Sequence, residues 1–209
     1  MMMKKSTLLI FICLMGWMSA CEPPYDGTEI VAIENEFLDS QGNRVANLPV
    51  KYTTGSSSGF DLYYEDSFNY LTDSQGKIRF STFKPNELLY VNYEGNALYG
   101  PIYTPLLNLD PKKLNTQRFY LLQSNESVDL NVQLQTTNFT KSIKEVTFTG
   151  IGNLIGYPYS TNEMYNYRVR TNQTVTIHYT VYNYETNTTT TLSQNIPIIT
   201  DNLTFVINY

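Results

Sequence analysis

The chain has 209 residues, with 14 basic and 19 acidic side chains and a formal net charge of −5. An acidic chain without a basic cluster is a poor electrostatic partner for nucleic acid or for an anionic membrane surface, so both are discarded as partners recruited by charge. The single histidine, His178, leaves no imidazole cluster for catalysis or for a metal. Tyr, Thr and Asn abound, Ala is scarce, and beyond residue 24 no apolar run keeps helical spacing for more than about one turn. This pattern predicts an all-β chain. The only helical hint is Asp110-Pro111-Lys112-Lys113-Leu114, where Asp can cap one short turn and Pro can open it.

The first stretch reads as an export signal. Lys4 and Lys5 form a positive end, Leu8 to Trp17 is an apolar run, and Met18-Ser19-Ala20 leads with small residues into Cys21. This resembles the lipobox of bacterial lipoproteins, in which the cysteine is diacylated, the preceding peptide is removed and the new amino terminus is acylated. The resemblance implies a signal peptide over residues 1–20, lipidation of Cys21 and a tether over 21–27. The apolar run falls short of the ~20 residues of a bilayer span, and Glu22-Pro23-Pro24 would end any helix. Processing would leave 189 residues with a net charge of −7 and no free thiol for a disulfide, a nucleophile or zinc. No cofactor is expected. The implied place is the cell envelope at the outer membrane, with the periplasmic or surface face unassigned.

From Glu29 the period is two. Val31, Ile33 and Phe37 point one way and Glu34 and Glu36 the other. Asp39-Ser40-Gln41-Gly42-Asn43 is a turn, and a strand follows with Leu48, Val50 and Tyr52 inward. Gly55 to Gly59 is a Ser-rich loop. Phe60, Leu62 and Tyr64 alternate again, Phe68 to Thr72 is a short strand, and Asp73-Ser74-Gln75-Gly76-Lys77 repeats the first turn 34 residues later. Both read as hairpin turns, since the ligand spacing and terminal glutamate of a calcium loop are missing. Two further faces follow: Ile78, Phe80 and Thr82, then Leu89, Val91 and Tyr93.

A strand, a D-x-x-G turn, a second strand ending in apolar-x-Val and then Thr-Asp-x-x-Gly-x-apolar-x-Phe resembles carboxypeptidase-regulatory-like domains, the transthyretin-related β-sandwiches. The residues that carry it are Asp39, Gly42, Val45, Leu48, Val50, Thr72, Asp73, Gly76, Ile78 and Phe80. The chain departs from the pattern in Glu29-Ile30-Val31 for Gly-x-Val, Arg44 for Pro and Asn47 for Gly. The resemblance spans residues 28–122 and implies a seven-stranded sandwich without catalysis.

Gly95 to Thr116 reads as a long ordered connection, including Tyr99 and Tyr103. Arg118 to Leu122 closes the first domain, and Gln123 to Ser127 is a polar boundary. Val128, Leu130, Val132 and Leu134 then alternate with polar residues. Ser142 to Thr149 is a strand, Val175 to Tyr184 another, Glu185-Thr186-Asn187 a turn into Thr188 to Ile196, and Leu203 to Tyr209 the last strand. The reading is two tandem antiparallel β-sandwiches, transthyretin-like then immunoglobulin-like, the second over residues 128–209.

No hydrolase elbow is present, and a triad would have to recruit His178 from the wet side of its strand. The carboxylate pairs Glu34/Glu36 and Glu65/Asp66 read as solvated edges. Gly150-Ile151-Gly152 to Gly156 opens no helix and so lacks the phosphate-binding mechanism. The sequons at Asn125, Asn138, Asn172, Asn187 and Asn202 read as accidents of an Asn- and Thr-rich composition. What remains are two aromatic loops as a partner-binding surface: Tyr99 and Tyr103 in one, Leu154, Ile155, Tyr157 and Tyr159 in the other. The expectation is a non-enzymatic lipoprotein, held in the membrane through Cys21, that binds a glycan or protein partner. The alternative is a fimbrial-type subunit or envelope scaffold assembled through β-strand pairing.

Overall fold

The computed structural model describes residues 25–58, 61–86, 88–106, 108–136, 139–155 and 164–209, and for 25–28, 56–58 and 61–65 it describes the backbone alone. Cys21, Tyr157, Tyr159, Asn138 and Phe60, and the side chains of Leu62, Tyr64 and Glu65, therefore lie outside the described residues.

Fourteen strands are described, with one 3-10 turn at Ser124–Glu126 as the sole helical element among the described residues. The first seven are β1 (Tyr25–Asp39), β2 (Pro49–Ser58), β3 (Asp61–Leu71), β4 (Lys77–Pro85), β5 (Leu88–Tyr93), β6 (Ile102–Leu106) and β7 (Leu114–Leu121). They form two sheets, ordered β4-β1-β7 and β3-β2-β5-β6. The other seven are β8 (Ser127–Gln135), β9 (Lys141–Thr149), β10 (Gly152–Leu154), β11 (Met164–Arg170), β12 (Gln173–Asn183), β13 (Thr188–Ile198) and β14 (Leu203–Asn208). Their sheets run β10-β11-β8-β14 and β13-β12-β9.

Each pair of sheets encloses its own core, so the chain is two β-sandwiches in tandem. The period-two residues fill them. Val31, Ile33, Phe37, Val50, Tyr52, Leu89, Val91 and Phe119 meet in the first core, and Leu130, Val132, Val175, Ile177, Tyr179 and Ile207 in the second. Burying such side chains contributes roughly 1.5–3 kcal/mol each.

Two strand pairs depart from the antiparallel expectation. β7 lies parallel to β1, with Ala32 opposite Leu114 and Phe37 opposite Phe119. β14 lies parallel to β8 in the same way, with Leu203 opposite Leu130. Each sandwich thus closes by laying its last strand alongside its first, and parallel neighbours need a crossover rather than a hairpin. Further corrections concern the loops. Tyr25–Gly27, read as tether, already belongs to β1, and the two strands expected between residues 60 and 72 are one continuous β3. The connection 95–116 contains β6, and the loop 150–165 contains β10 and the start of β11.

The repeated Asp-Ser-Gln-Gly turns share one geometry. Asp39 Oδ1 accepts the amides of Gln41 and Asn43, both at 2.8 Å, and Asp73 Oδ1 those of Gln75 and Lys77 at 2.8 and 2.9 Å. They reverse the chain tightly without joining hydrogen-bonded neighbours, since β1 to β2 and β3 to β4 each pass between sheets. The two turns also touch. The Phe37 amide donates to the Gly76 carbonyl at 2.8 Å, and a Cβ on Gly76 would fall 2.8 Å from the Phe37 oxygen. Thr72 completes the corner: its hydroxyl accepts the Leu48 amide at 2.8 Å and donates to the Val45 carbonyl at 2.7 Å. Asn47 sits at φ 56°, the left-handed region that Asn tolerates best after Gly.

Candidate functional site

The two loops singled out for their aromatic content converge where the sandwiches meet. β10 lies against β6 and β7, and the junction is tied by side-chain bonds. Asn153, buried on β10, accepts the Tyr120 amide through Oδ1 at 2.8 Å and donates Nδ2 to the Tyr120 carbonyl at 2.5 Å. The amide side chain therefore engages β7 as a neighbouring strand would. Arg170 Nη1 donates to the Ser40 carbonyl at 2.6 Å, and within the first sandwich the Gly100 amide donates to the Leu122 carbonyl at 3.1 Å, holding the 95–101 stretch beside the junction. Gln173 props the β10 approach, accepting the Ile151 amide at 2.9 Å and donating to the Ile151 carbonyl at 2.8 Å.

Beside this junction lies a cleft of about 440 Å³. Ile102, Leu122 and Ile155 supply apolar lining, Tyr103 and Tyr120 its aromatic walls, and Arg168 its charge. Arg168 is positioned by β11: Nε donates to Ser127 Oγ at 3.0 Å and Nη1 to Asp129 Oδ1 at 3.3 Å. Tyr103 stacks one face on Tyr90, with centroids 5.1 Å apart and planes at 10°, which fixes its ring in an offset-stacked geometry.

Of the loop residues read from the sequence, Tyr103 and Ile155 share this cleft. Tyr99 and Leu154 do not: Tyr99 packs against the first core and lines a separate hollow with Leu98, and Leu154 packs against the second core. Arg168 and Asn153 were not among the candidates. Arg168 sits in an alternating Met164–Arg170 run that could have been read as a strand, whereas nothing local marks Asn153.

The other candidates take ordinary structural places. His178 on the outer face of β12 lies 3.0 Å from the Thr149 hydroxyl. Glu34 bonds Lys77 at 2.6 Å and also pairs with Arg79, and Glu36 pairs with Arg118 at 3.0 Å. The Lys77 and Arg79 hydrogen bonds hold the Glu34 carboxyl below its usual range. Burial pushes the phenols of Tyr52 and Tyr167 above theirs, so both are neutral core groups. Among the described residues no group of three or more His, Cys, Asp or Glu side chains is placed to hold a metal.

No family model matches the chain, and no curated protein matches it. Among solved structures it is similar to the Bacillus anthracis TIE protein at 9% identity, covering 87% of this chain and 34% of that one with a TM-score of 0.32. A streptococcal ancillary pilin matches at 15% identity over 87% of this chain and 62% of its own, TM-score 0.35. The minor pilin of Streptococcus agalactiae matches at 10% identity over 85% and 94%, TM-score 0.31. The chain thus spans less than two thirds of the first two.

Proposed function

We propose that this chain is a non-catalytic envelope lipoprotein, anchored through acylated Cys21, that binds a glycan or protein partner in the cleft between its sandwiches. The observation that supports the reading is convergence. Gly100 to Tyr103 and Asn153 to Ile155 lie some fifty residues apart in sequence, yet line one cleft with Arg168. An apolar lining, a ring fixed by stacking and one guanidinium suit a partner with an apolar face and a hydrogen-bond acceptor, as sugar rings and peptide segments have. The test is a photo-crosslinking residue in place of Tyr103 in intact cells, with Tyr184 on the second sandwich as control. Adducts at 103 and not at 184 are expected; none at 103 refutes a cleft partner.

A second reading, a fimbrial-type subunit or scaffold assembled by strand pairing, is favoured by β13. This eleven-residue strand is bonded to β12 on one side only and carries no charged residue. The β9 edge carries Lys141, Lys144 and Glu145, and the β3 edge Asp61, Glu65 and Asp66, the charges that normally block edge pairing. Strand loss from the amino terminus is the less suitable route, because β1 sits between β4 and β7 and supplies Val31, Ile33 and Phe37 to the core. Concentration-dependent laddering that Ser193→Lys abolishes would favour this reading, and a strict monomer would refute it.

A further inference from the structure

The outer face of the β4-β1-β7 sheet is charged over most of its length but apolar at one end. There Ile30 is 58% exposed, Phe83 49% and Leu114 51%. Register makes them neighbours. Ile30 stands opposite Phe83, and Leu114 stands opposite Ala32, two residues along from Ile30 on the same face. The alternate positions Val31 and Ile33 turn into the core. Lysines flank the patch at the strand ends: Lys84 follows Phe83 and by alternation leaves β4 on the other face, and Lys112 and Lys113 sit in the turn just before Leu114. Lys84 pairs with Glu29 at 2.9 Å and Lys113 with Asp110 at 3.6 Å, both solvent-accessible pairs of the kind that exchange partners at little cost. Farther along, the Glu34 and Glu36 ion pairs end the apolar zone.

This end is also where the chain arrives from Cys21. β1 begins at Tyr25, four residues after the cysteine, and four residues reach at most ~14 Å. Resting on the reading that Cys21 is acylated, we propose that this face lies against the bilayer. Ile30, Phe83 and Leu114 enter the interfacial zone, and Lys84, Lys112 and Lys113 lie level with the lipid phosphates. Apolar side chains rimmed by lysines match that zone, where lysine stems run along apolar surface and their ammonium groups reach the headgroups. The tether makes a lipid surface the occupant: it holds the bilayer permanently beside the patch, at an effective concentration that a diffusing protein does not reach. The patch is too small to bring the chain to a membrane from solution, and under this anchor it does not have to. Its role is orientation, laying β1 along the membrane plane instead of upright.

The test uses the mature lipidated protein in vesicles of phosphatidylethanolamine and phosphatidylglycerol. A fluorophore is placed at Leu114→Cys or, on the second sandwich, at Asn187→Cys, with a quencher attached to the lipid chains. Intact mass first establishes whether Cys21 carries acyl chains. With acylated protein, quenching at 114 at least about threefold stronger than at 187 is expected, falling to the 187 level in an added Ile30→Glu variant. Lys84→Cys serves as a second labelled position and is expected to quench more than 187 as well. Equal quenching at 114, 84 and 187 in acylated protein would overturn the orientation while leaving the anchor intact. Unacylated Cys21 would overturn the anchor reading and this inference with it.

Discussion

Replacing Thr72 by Val tests whether the corner joining the two Asp-Ser-Gln-Gly turns holds the first sandwich together. The change nearly preserves shape and removes one hydroxyl. In the parent that hydroxyl accepts the Leu48 amide and donates to the Val45 carbonyl, at 2.8 and 2.7 Å, from a side chain only 2% exposed. Neither backbone group gains a partner when it goes, and a buried polar group left unpaired costs about 1–3 kcal/mol. Because one hydroxyl serves both groups the losses are coupled, so the expected total is about 2–4 kcal/mol. For a domain of this size that lowers the melting temperature by at least about 8 °C. Thr72→Ser keeps the hydroxyl and loses a methyl, and is expected to cost about 1 kcal/mol or less. The assay is differential scanning calorimetry of the protein expressed without residues 1–20, where two separate cores allow a transition for each sandwich. The lower values should fall on the first sandwich alone. Thr72→Val within about 0.5 kcal/mol of the parent, or Ser as damaging as Val, would refute the assignment of stability to these two bonds.

Three further outcomes follow from geometry. Gly42 and Gly76 hold the same turn position at φ 83° and 68°, but a Cβ on Gly42 meets nothing within 4 Å while one on Gly76 falls 2.8 Å from the Phe37 oxygen. By chemical denaturation Gly42→Ala should cost about 1–2 kcal/mol for the left-handed backbone alone, and Gly76→Ala clearly more. Asn153→Ala should cost about 1–3 kcal/mol and speed hydrogen exchange at the Tyr120 amide, which would lose its acceptor. The Asp73 carboxyl is held below its usual range, chiefly by the Lys77 backbone amide, and Glu34 by the Lys77 and Arg79 hydrogen bonds. A depressed folded value means that this stability is present above the unfolded pKa and is lost as pH falls through the folded one. The first sandwich should therefore lose stability below about pH 4, and Asp73→Asn should flatten that loss in melts recorded from pH 5 downward.

The cores were legible because each buried strand repeats its apolar residue at every second position, as in Val128-x-Leu130-x-Val132-x-Leu134. β6 was not, because Pro105 breaks the pattern; the structure tolerates it because β6 is an edge strand bonded only to β5. β10 has three residues and no period to read. β11 does carry the alternation, with Tyr167 and Val169 buried between Arg168 and Arg170, but it follows directly on the Gly- and Tyr-rich stretch and reads in the sequence as the end of that loop. The parallel closures were illegible for another reason: a strand's pattern records which face is buried, not which neighbour lies beside it. The cleft shows the same limit. Tyr103 and Ile155 could be named as surface candidates, but their meeting depends on how Asn153 grips Tyr120, a contact across 33 residues.

The parallel closure also determines how the molecule carries load. When first and last strands run side by side in the same direction, the chain enters a sandwich at one end and leaves at the other. A pull between Tyr25 and Tyr209 then slides β1 against β7, and β8 against β14, along their length. The backbone bonds that join Ala32–Asp39 to Leu114–Leu121 are strained together, as in a lap joint, instead of one after another as in a peeled hairpin. The second sandwich, bonded over Leu130–Gln135 and Leu203–Asn208, has the shorter overlap. Under tension it is the element expected to yield first, leaving the first sandwich folded.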